Sequence, residues 1–141
     1  MAARFVVDNS VVMAWCFKDE SDPYADQVLE SLSTSSALVP AIWPLEVVNV
    51  LLAAERRNRL VEADSIHFIS LLNRLPLRVE PLPPVESLMG SLLPVASKYG
   101  LSSYDASYLH LAMRHGLALA TRDEKLKAAA KKAKVALWVP K

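Results

Sequence analysis

This sequence has few cysteines and glycines, and its net charge is small. Its 141 residues include one cysteine, Cys16, and three glycines, and the formal net charge is +1. A single cysteine excludes an intramolecular disulfide and suits a reducing compartment. The small net charge argues against a domain that binds nucleic acid through an overall basic surface. Any nucleic-acid site must therefore be local.

Long hydrophobic runs are also missing. No stretch approaches the roughly 20 apolar residues that a membrane-spanning helix needs. The apolar residues after Arg4 are interrupted by Asp8, and no small-residue cleavage site of a signal peptide follows. Hydrophobic residues nevertheless make up 52% of the chain, which argues against disorder. We therefore expect residues 1–141 to form one folded domain in the cytoplasm, without a membrane partner.

Short apolar strands alternate with helices along nearly the whole chain. Strands are predicted at residues 4–8, 37–39, 77–82, 117–120 and 135–139. Helices are predicted at residues 24–32, 42–60, 62–75 and 124–134, with others ending near residues 17, 99 and 115. The helix ending near residue 99 contains Gly90 and Pro94, so we expect it to be kinked or broken in two. The alternation predicts an α/β fold: a three-layer sandwich with a mostly parallel, about five-stranded sheet flanked by helices.

Four acidic residues lie where strands end or the following helices begin. Asp8 and Asp123 follow predicted strands, Asp105 opens a helix, and Glu46 is near the start of another. Right-handed crossovers bring the C-terminal ends of parallel strands to one edge of the sheet, so the four carboxylates should meet there. Their repulsion would raise their pKa values unless a cation neutralised them. Ligation by oxygen alone favours Mg²⁺ or Mn²⁺, and the scattered histidines have no zinc-ligand spacing.

Three of these acids also have a structural interpretation as helix caps. Asp8 precedes a helix, as capping residues do. Ser102 and Asp105 have the spacing of a capping box, and Asp123 can cap the helix that follows it. Thr121 can serve as that cap instead.

Glu46 is harder to explain as a cap, because it lies in a helix that is apolar almost all round. That pattern predicts a buried helix. A buried carboxylate is costly without a partner. We expect either a salt bridge, to Arg56 or Arg57, or a polar pocket that holds a cation.

Four segments together resemble the PIN-domain ribonucleases, and most closely the VapC-type toxins of toxin–antitoxin pairs. They are V-V-D-N-S-V, P-L-E-V-V-N-V, L-S-S-Y-D-A-S-Y-L-H-L-A and A-T-R-D-E-K-L. The resemblance covers essentially the full chain. It implies a five-stranded parallel sheet, a Mg²⁺ or Mn²⁺ cofactor, endonucleolytic cleavage of RNA, a homodimer and inhibition by a VapB-type antitoxin.

The same resemblance, carried over position by position, implies which residues form the site. The catalytic and metal-binding acids would be Asp8, Glu46, Asp105 and Asp123. The supporting polar residues would be Ser10, Asn49 and Thr121.

Contact with RNA would need local positive charge, which two groups of residues can supply. The candidates are Arg56, Arg57 and Arg59 at one helix end, and Lys125, Lys127, Lys131 and Lys132 on the last helix. An ordinary solvated face would use the same residues.

Two other functions are open at this stage. The first is a non-catalytic binding module of the same fold, in which the acids serve only structure. The second is aspartyl-phosphate transfer with an acid after the first strand as nucleophile. That chemistry in haloacid-dehalogenase-type folds would want a second acid two residues later, where this chain has Ser10.

Overall fold

The structure is a computed structural model that describes residues 3–140. The strands in these residues are β1 (Ala3–Val7), β2 (Ser36–Val39), β3 (Leu77–Val79) and β4 (Ala118–Ala120). The α-helices in the same residues are α1 (Asn9–Cys16), α2 (Pro23–Ser31), α3 (Trp43–Arg56), α4 (Glu62–Leu72), α5 (Val85–Tyr99), α6 (Ser103–His115) and α7 (Glu124–Lys132). None of these helices is long and apolar enough to span a membrane.

The strands form one parallel sheet in the order β3-β2-β1-β4. The inner strand β1 contributes Phe5, Val6 and Val7, which have no exposed surface. Strands that are apolar on both faces are typical of parallel sheets, because helices cover both sides. Helices flank this sheet as well. The predicted α/β sandwich with a parallel central sheet is therefore confirmed.

The last segment predicted as a strand, residues 135–139, joins the sheet only through a single bridge beside β4. The Leu119 amide donates to the Ala136 carbonyl at 2.9 Å, and the Leu119 carbonyl accepts from the Trp138 amide at 2.8 Å. Pro140 has no amide with which to continue the ladder. The described part of the chain thus has four strands rather than about five.

The α5 helix is continuous, so the expectation that it breaks in two near Gly90 and Pro94 is wrong. Pro94 has no amide to donate to the Gly90 carbonyl one turn earlier. Gly90 is exposed, and a side chain added there would meet nothing within 4 Å. Water can therefore reach the carbonyl that the proline leaves unpaired, and the helix runs on to Tyr99.

The prediction that α3 is buried all round is wrong. Val47 and Leu51 face the core, but Leu45, Val48 and Leu52 are 63%, 44% and 38% exposed. These three residues have the spacing of one helical stripe. Only one side of α3 packs against the rest of the domain, so its apolar residues on the other side face solvent.

The α6 helix begins and ends as its sequence predicts. The Ser102 hydroxyl accepts a hydrogen bond from the Asp105 amide at 3.1 Å, which caps the N-terminus. Gly116 ends the helix in the left-handed conformation, with φ of 63°. The side chains of Tyr108 and Leu109 between these ends have no exposed surface. Thus α6 is part of the core, while its first turn lies at the edge of the sheet.

Candidate functional site

All four predicted acids line one cleft at the C-terminal edge of the sheet, with a volume of about 540 Å³. We call it the acidic cleft, after Asp8, Glu46, Asp105 and Asp123. Asp8 directly follows β1, and Asp123 lies three residues after β4. The other two acids come from the first turns of α3 and α6. The topology therefore brings together residues that are up to 115 positions apart in the sequence.

Asp8 is buried and held by two hydroxyl groups. Its Oδ2 atom accepts hydrogen bonds from Ser10 Oγ at 2.7 Å and from Thr121 Oγ1 at 2.8 Å. Asp8 occupies the position before α1, but its side chain makes no capping hydrogen bond to that helix. Burial raises the pKa of the Asp8 carboxyl, and the two hydroxyl bonds oppose this effect. Two of the three predicted supporting residues thus contact the most buried acid.

The same two hydroxyls also accept hydrogen bonds from the loop after β4. Thr121 Oγ1 accepts from the Asp123 amide, and Ser10 Oγ accepts from the Arg122 amide, each at 3.0 Å. The loop over residues 121–123 is therefore tied to Asp8 through both hydroxyls. Asn49, the third predicted supporting residue, is exposed and lines the acidic cleft.

Asp123 has the capping role that its sequence position allows. Its Oδ1 atom accepts a hydrogen bond from the Leu126 amide at 2.8 Å, in the first turn of α7. Asp123 also lines the acidic cleft. A carboxylate has two oxygen atoms, so the capping hydrogen bond to Oδ1 leaves Oδ2 with no part in the cap.

Asp105 is half-buried at the first turn of α6. Burial raises the pKa of its carboxyl, and the negative charges of Asp8 and Asp123 raise it further, while Lys125 acts in the opposite direction. The cap of α6 is the Ser102 side chain rather than Asp105. The electrostatic effects of Asp8 and Asp123 indicate that Asp105 shares their local environment.

Glu46 is half-buried and hydrogen-bonded to a tyrosine. Its Oε1 atom accepts from the Tyr108 hydroxyl at 2.5 Å. Burial raises the pKa of Glu46, the tyrosine bond opposes this, and the charges of Asp8 and Asp105 add to the increase. Within residues 3–140, Glu46 makes no ion pair. The salt bridge considered from the sequence is therefore wrong, and Glu46 lies in a polar pocket.

Tyr108 is a residue of this site that sequence reasoning missed. Its place in the apolar pattern of α6 suggested only a core residue. Two signals could have identified it: it lies three residues after Asp105, on the same side of the helix, and a buried tyrosine hydroxyl usually needs a partner. Burial and the neighbouring Glu46 carboxylate raise the pKa of Tyr108 far above its usual range. The hydroxyl therefore keeps its proton and remains a donor.

Arg57, Arg59 and Arg122 bring positive charge to the acidic cleft. Arg59 pairs with Asp19 at 3.1 Å and lies over the Phe17 ring, 4.2 Å from its centre. Arg57 makes no ion pair with any residue in the described range. Arg57 and Arg59 were among the predicted RNA contacts, whereas Arg56 does not line the cleft.

Arg122 is a second residue that sequence reasoning missed, although it lies between Thr121 and Asp123. Its Nε atom is 2.8 Å from Asp22 Oδ2, and its guanidinium group also donates to the Ser10 carbonyl at 3.3 Å. The sequence contained a signal for this role: Arg122 is a basic residue between two site residues, in the loop after a strand. Of the predicted lysines, Lys125, Lys127, Lys131 and Lys132, none lines the cleft.

The oxygen atoms of the acidic cleft suit a hard divalent cation. In their present orientations, however, the carboxylates do not converge on a single cation position. In residues 3–140, no group of three or more His, Cys, Asp and Glu side chains is arranged to hold a metal ion. Asp8, Glu46 and Asp123 each accept a hydrogen bond from a protein group through one oxygen atom. The available donors are oxygen atoms, including a buried Asn9 amide oxygen that has no hydrogen-bond partner among the described residues. This donor chemistry fits Mg²⁺ or Mn²⁺, with reorientation of carboxylates on binding.

The fold and the cleft define an α/β protein with a carboxylate-lined edge. The PIN domain family model matches residues 5–132, and the chain belongs to that family. Proteins with this domain are in general metal-dependent nucleases. No curated protein sequence matches the chain.

The solved structures that are similar to this one include the following three. PAE2754 from Pyrobaculum aerophilum is 29% identical with a TM-score of 0.66, and the match covers 92% of this chain and 87% of that one. A toxin–antitoxin complex from Klebsiella pneumoniae is 18% identical with a TM-score of 0.62, covering 88% and 90%. FitAcB from Neisseria gonorrhoeae is 20% identical with a TM-score of 0.63, covering 96% and 97%. At 18% and 20% identity, the last two structures show that this chain shares their fold.

The raised pKa values predict how stability depends on pH. Ionisation of an acid whose pKa is raised on folding costs the folded state free energy, and this cost is absent below the ordinary pKa. In the presence of a chelator, Asp105→Asn should therefore increase the free energy of unfolding at pH 7. The increase should begin above pH 3.8, the ordinary value for Asp105, and grow as the pH rises toward the folded-state pKa. Urea unfolding of both proteins between pH 4 and pH 7.5 measures this difference.

Asp26→Asn is the matched control for this prediction, since Asp26 is an exposed acid on α2. It should lower the unfolding free energy by no more than about 1 kcal/mol, the contribution of a charge in the first turn of a helix, and should not raise it. A loss of stability in Asp105→Asn at pH 7 would instead mean that this carboxylate serves mainly to stabilise α6.

Proposed function

We propose that this protein is an endoribonuclease that depends on Mg²⁺ or Mn²⁺ held by Asp8, Glu46, Asp105 and Asp123. The observation that carries the proposal is the acidic cleft itself. Three of its four carboxyls have pKa values that burial raises, and the charges of neighbouring acids raise those of Glu46 and Asp105 further. A group of acids that raise one another's pKa is stabilised by a cation, and the chain belongs to a family of generally metal-dependent nucleases.

The protein's own groups would act on the substrate in distinct ways. A divalent ion held in the cleft would stabilise negative charge on a phosphodiester and favour ionisation of an attacking water. The Ser10 and Thr121 hydroxyls hold the Asp8 carboxylate in one orientation. Arg57, at the cleft and without an ion pair in the described residues, is the guanidinium group best available to a phosphate of the RNA backbone.

Loss of a single acid should remove the activity without unfolding the protein. Asp8→Asn and Asp105→Asn should each reduce cleavage of structured RNA to the level seen with EDTA, because the cation loses a charged ligand. An asparagine at position 8 can still accept hydrogen bonds from Ser10 and Thr121, so circular dichroism should remain that of the wild type. Asp26→Asn is the active control.

Wild-type activity in both cleft variants would contradict the proposed site. A non-catalytic binding module is the second candidate, favoured by the observation that no ready-made metal group exists in residues 3–140. A metal titration separates the two. Mg²⁺ at 100 times its dissociation constant should stabilise the wild-type protein by about 2.7 kcal/mol if it binds only the folded state.

We further propose that the nuclease is a VapC-type toxin and that a VapB-type antitoxin covers the exposed stripe of α3. Leu45, Val48 and Leu52 form this stripe, beside the cleft residues Glu46 and Asn49. An aliphatic stripe offers nothing to an RNA phosphate but suits the apolar face of a partner helix. A similar structure is that of a toxin–antitoxin complex, which supports a partner of this kind.

A charge on this stripe should abolish neutralisation while sparing cleavage. Val48→Asp should remain toxic on expression when a VapB-type antitoxin that neutralises the wild-type protein is co-expressed, because a buried carboxylate at the interface would be costly. Val139→Asp, at another exposed valine, should still be neutralised. Neutralisation of Val48→Asp as efficient as that of wild type would place the partner elsewhere.

We also propose a homodimer formed through α5. No residue of this 15-residue helix is fully buried. Val85, Met89 and Leu93 are 62%, 63% and 70% exposed and recur every four residues along one side. Two antiparallel copies related by an axis at Met89 would place each Val85 against the partner's Leu93. Such pairing would bury three apolar side chains from each copy, which supports a second copy as the occupant.

A charge on the exposed side of α5 should separate the copies. Leu93→Asp should elute as a monomer in size-exclusion chromatography with light scattering, since each copy would bury one carboxylate. Ser91→Asp places the same charge on an exposed position of the same helix, two residues away, and should leave the dimer intact. A dimeric Leu93→Asp protein would exclude this interface.

Residues 1–141 would then work as one domain in the cytoplasm. The free Cys16 is half-buried. The pKa of its thiol is raised to about 11, mainly by burial. Such a thiol is unreactive, which suits a structural role in a reducing compartment.

A further inference from the structure

Tyr108 connects the Glu46 carboxylate, through a single hydrogen bond, to the helix that carries Asp105. It lies on α6, one turn after Asp105, and its hydroxyl donates to Glu46 Oε1 on α3 at 2.5 Å. The bond therefore relates the position of the Glu46 carboxylate to the helix that carries Asp105. Glu46 and Tyr108 are 62 positions apart in the sequence.

Packing alone does not account for a tyrosine at this position. The ring has no exposed surface, and a phenylalanine would fill the same space. Other fully buried neighbours on α6, such as Ala106 and Leu109, are apolar. A buried hydroxyl stabilises the fold only if it is hydrogen-bonded, so its value here depends on Glu46.

The contact leaves part of Glu46 free for another ligand. Tyr108 occupies Oε1, and the Glu46 carboxylate makes no other hydrogen bond and no ion pair in residues 3–140. Glu46 also lines the acidic cleft, while the buried Tyr108 does not. The tyrosine thus holds the carboxylate from the core side, and the remaining oxygen is available to the cleft.

We propose that Tyr108 is a positioning residue that keeps the Glu46 carboxylate at the cleft, with one oxygen atom available to bind a divalent cation. This inference rests on the proposed function. Residues that donate hydrogen bonds to metal ligands orient them and reduce the reorganisation that binding requires. Tyr108 would therefore act through Glu46, without touching the substrate.

The test is Mn²⁺ affinity, measured by isothermal titration calorimetry on the full chain. Tyr108→Phe keeps the ring and removes only the hydroxyl, and should weaken Mn²⁺ binding by about 10- to 100-fold. In cleavage assays, the Mn²⁺ concentration at half-maximal rate should rise by a similar factor, while saturating Mn²⁺ restores most of the rate. Tyr104→Phe, which removes an exposed hydroxyl one turn earlier, should bind Mn²⁺ as the wild type does.

A double-mutant cycle with Glu46→Gln separates this inference from the proposed function. If Tyr108 acts through Glu46, Tyr108→Phe should weaken Mn²⁺ binding little further once Glu46 is glutamine. Wild-type affinity in Tyr108→Phe, alongside weakened binding in Glu46→Gln, would overturn the inference and leave the function standing. Fully additive losses would also overturn it. No Mn²⁺ binding by the wild-type protein would overturn both.

Discussion

The central constraint on this structure is the repulsion among carboxylates gathered at one edge of a parallel sheet. The fold collects them there because the C-terminal ends of its strands, and the helices that follow, share that edge. Without compensation, such a group favours protonation or separation of its members. The chain compensates with hydroxyl donors: Ser10 and Thr121 for Asp8, and Tyr108 for Glu46. Each of these contacts uses one oxygen atom of the acid, and no group of three or more His, Cys, Asp and Glu side chains is arranged to hold a metal ion among the described residues.

Structural and functional interpretations of the acids are compatible in this cleft. Asp123 caps α7 with one oxygen and still lines the cleft. Ser102, rather than Asp105, caps α6, so Asp105 is not required for that purpose. Asp8 precedes a helix without capping it. A helix that starts at the edge of the sheet has an N-terminus that needs a cap, and this N-terminus also borders the cleft. One carboxylate can therefore cap the helix and line the cleft.

The two exposed apolar surfaces lie on different helices, and only α3 also carries an acid of the cleft. The stripe on α3 borders the acidic cleft, whereas the exposed side of α5 belongs to a helix that contributes no residue to it. A domain whose core were complete in itself would gain nothing from these exposed side chains. The two interfaces proposed above, with a second copy and with an antitoxin, therefore lie on different helices.

Local sequence patterns determined the α/β class, the alternating order of elements, the cap at Ser102, the left-handed Gly116 and the four acids of the cleft. Each of these follows from spacing or from the ends of strands, which are local properties. Only the tertiary structure decided that the segment after α7 forms a bridge instead of a fifth strand, and that one side of α3 is exposed. It also decided that Glu46 contacts Tyr108 rather than an arginine. These outcomes depend on which surfaces meet in space, and a periodic pattern shows that a side is apolar without showing what covers it.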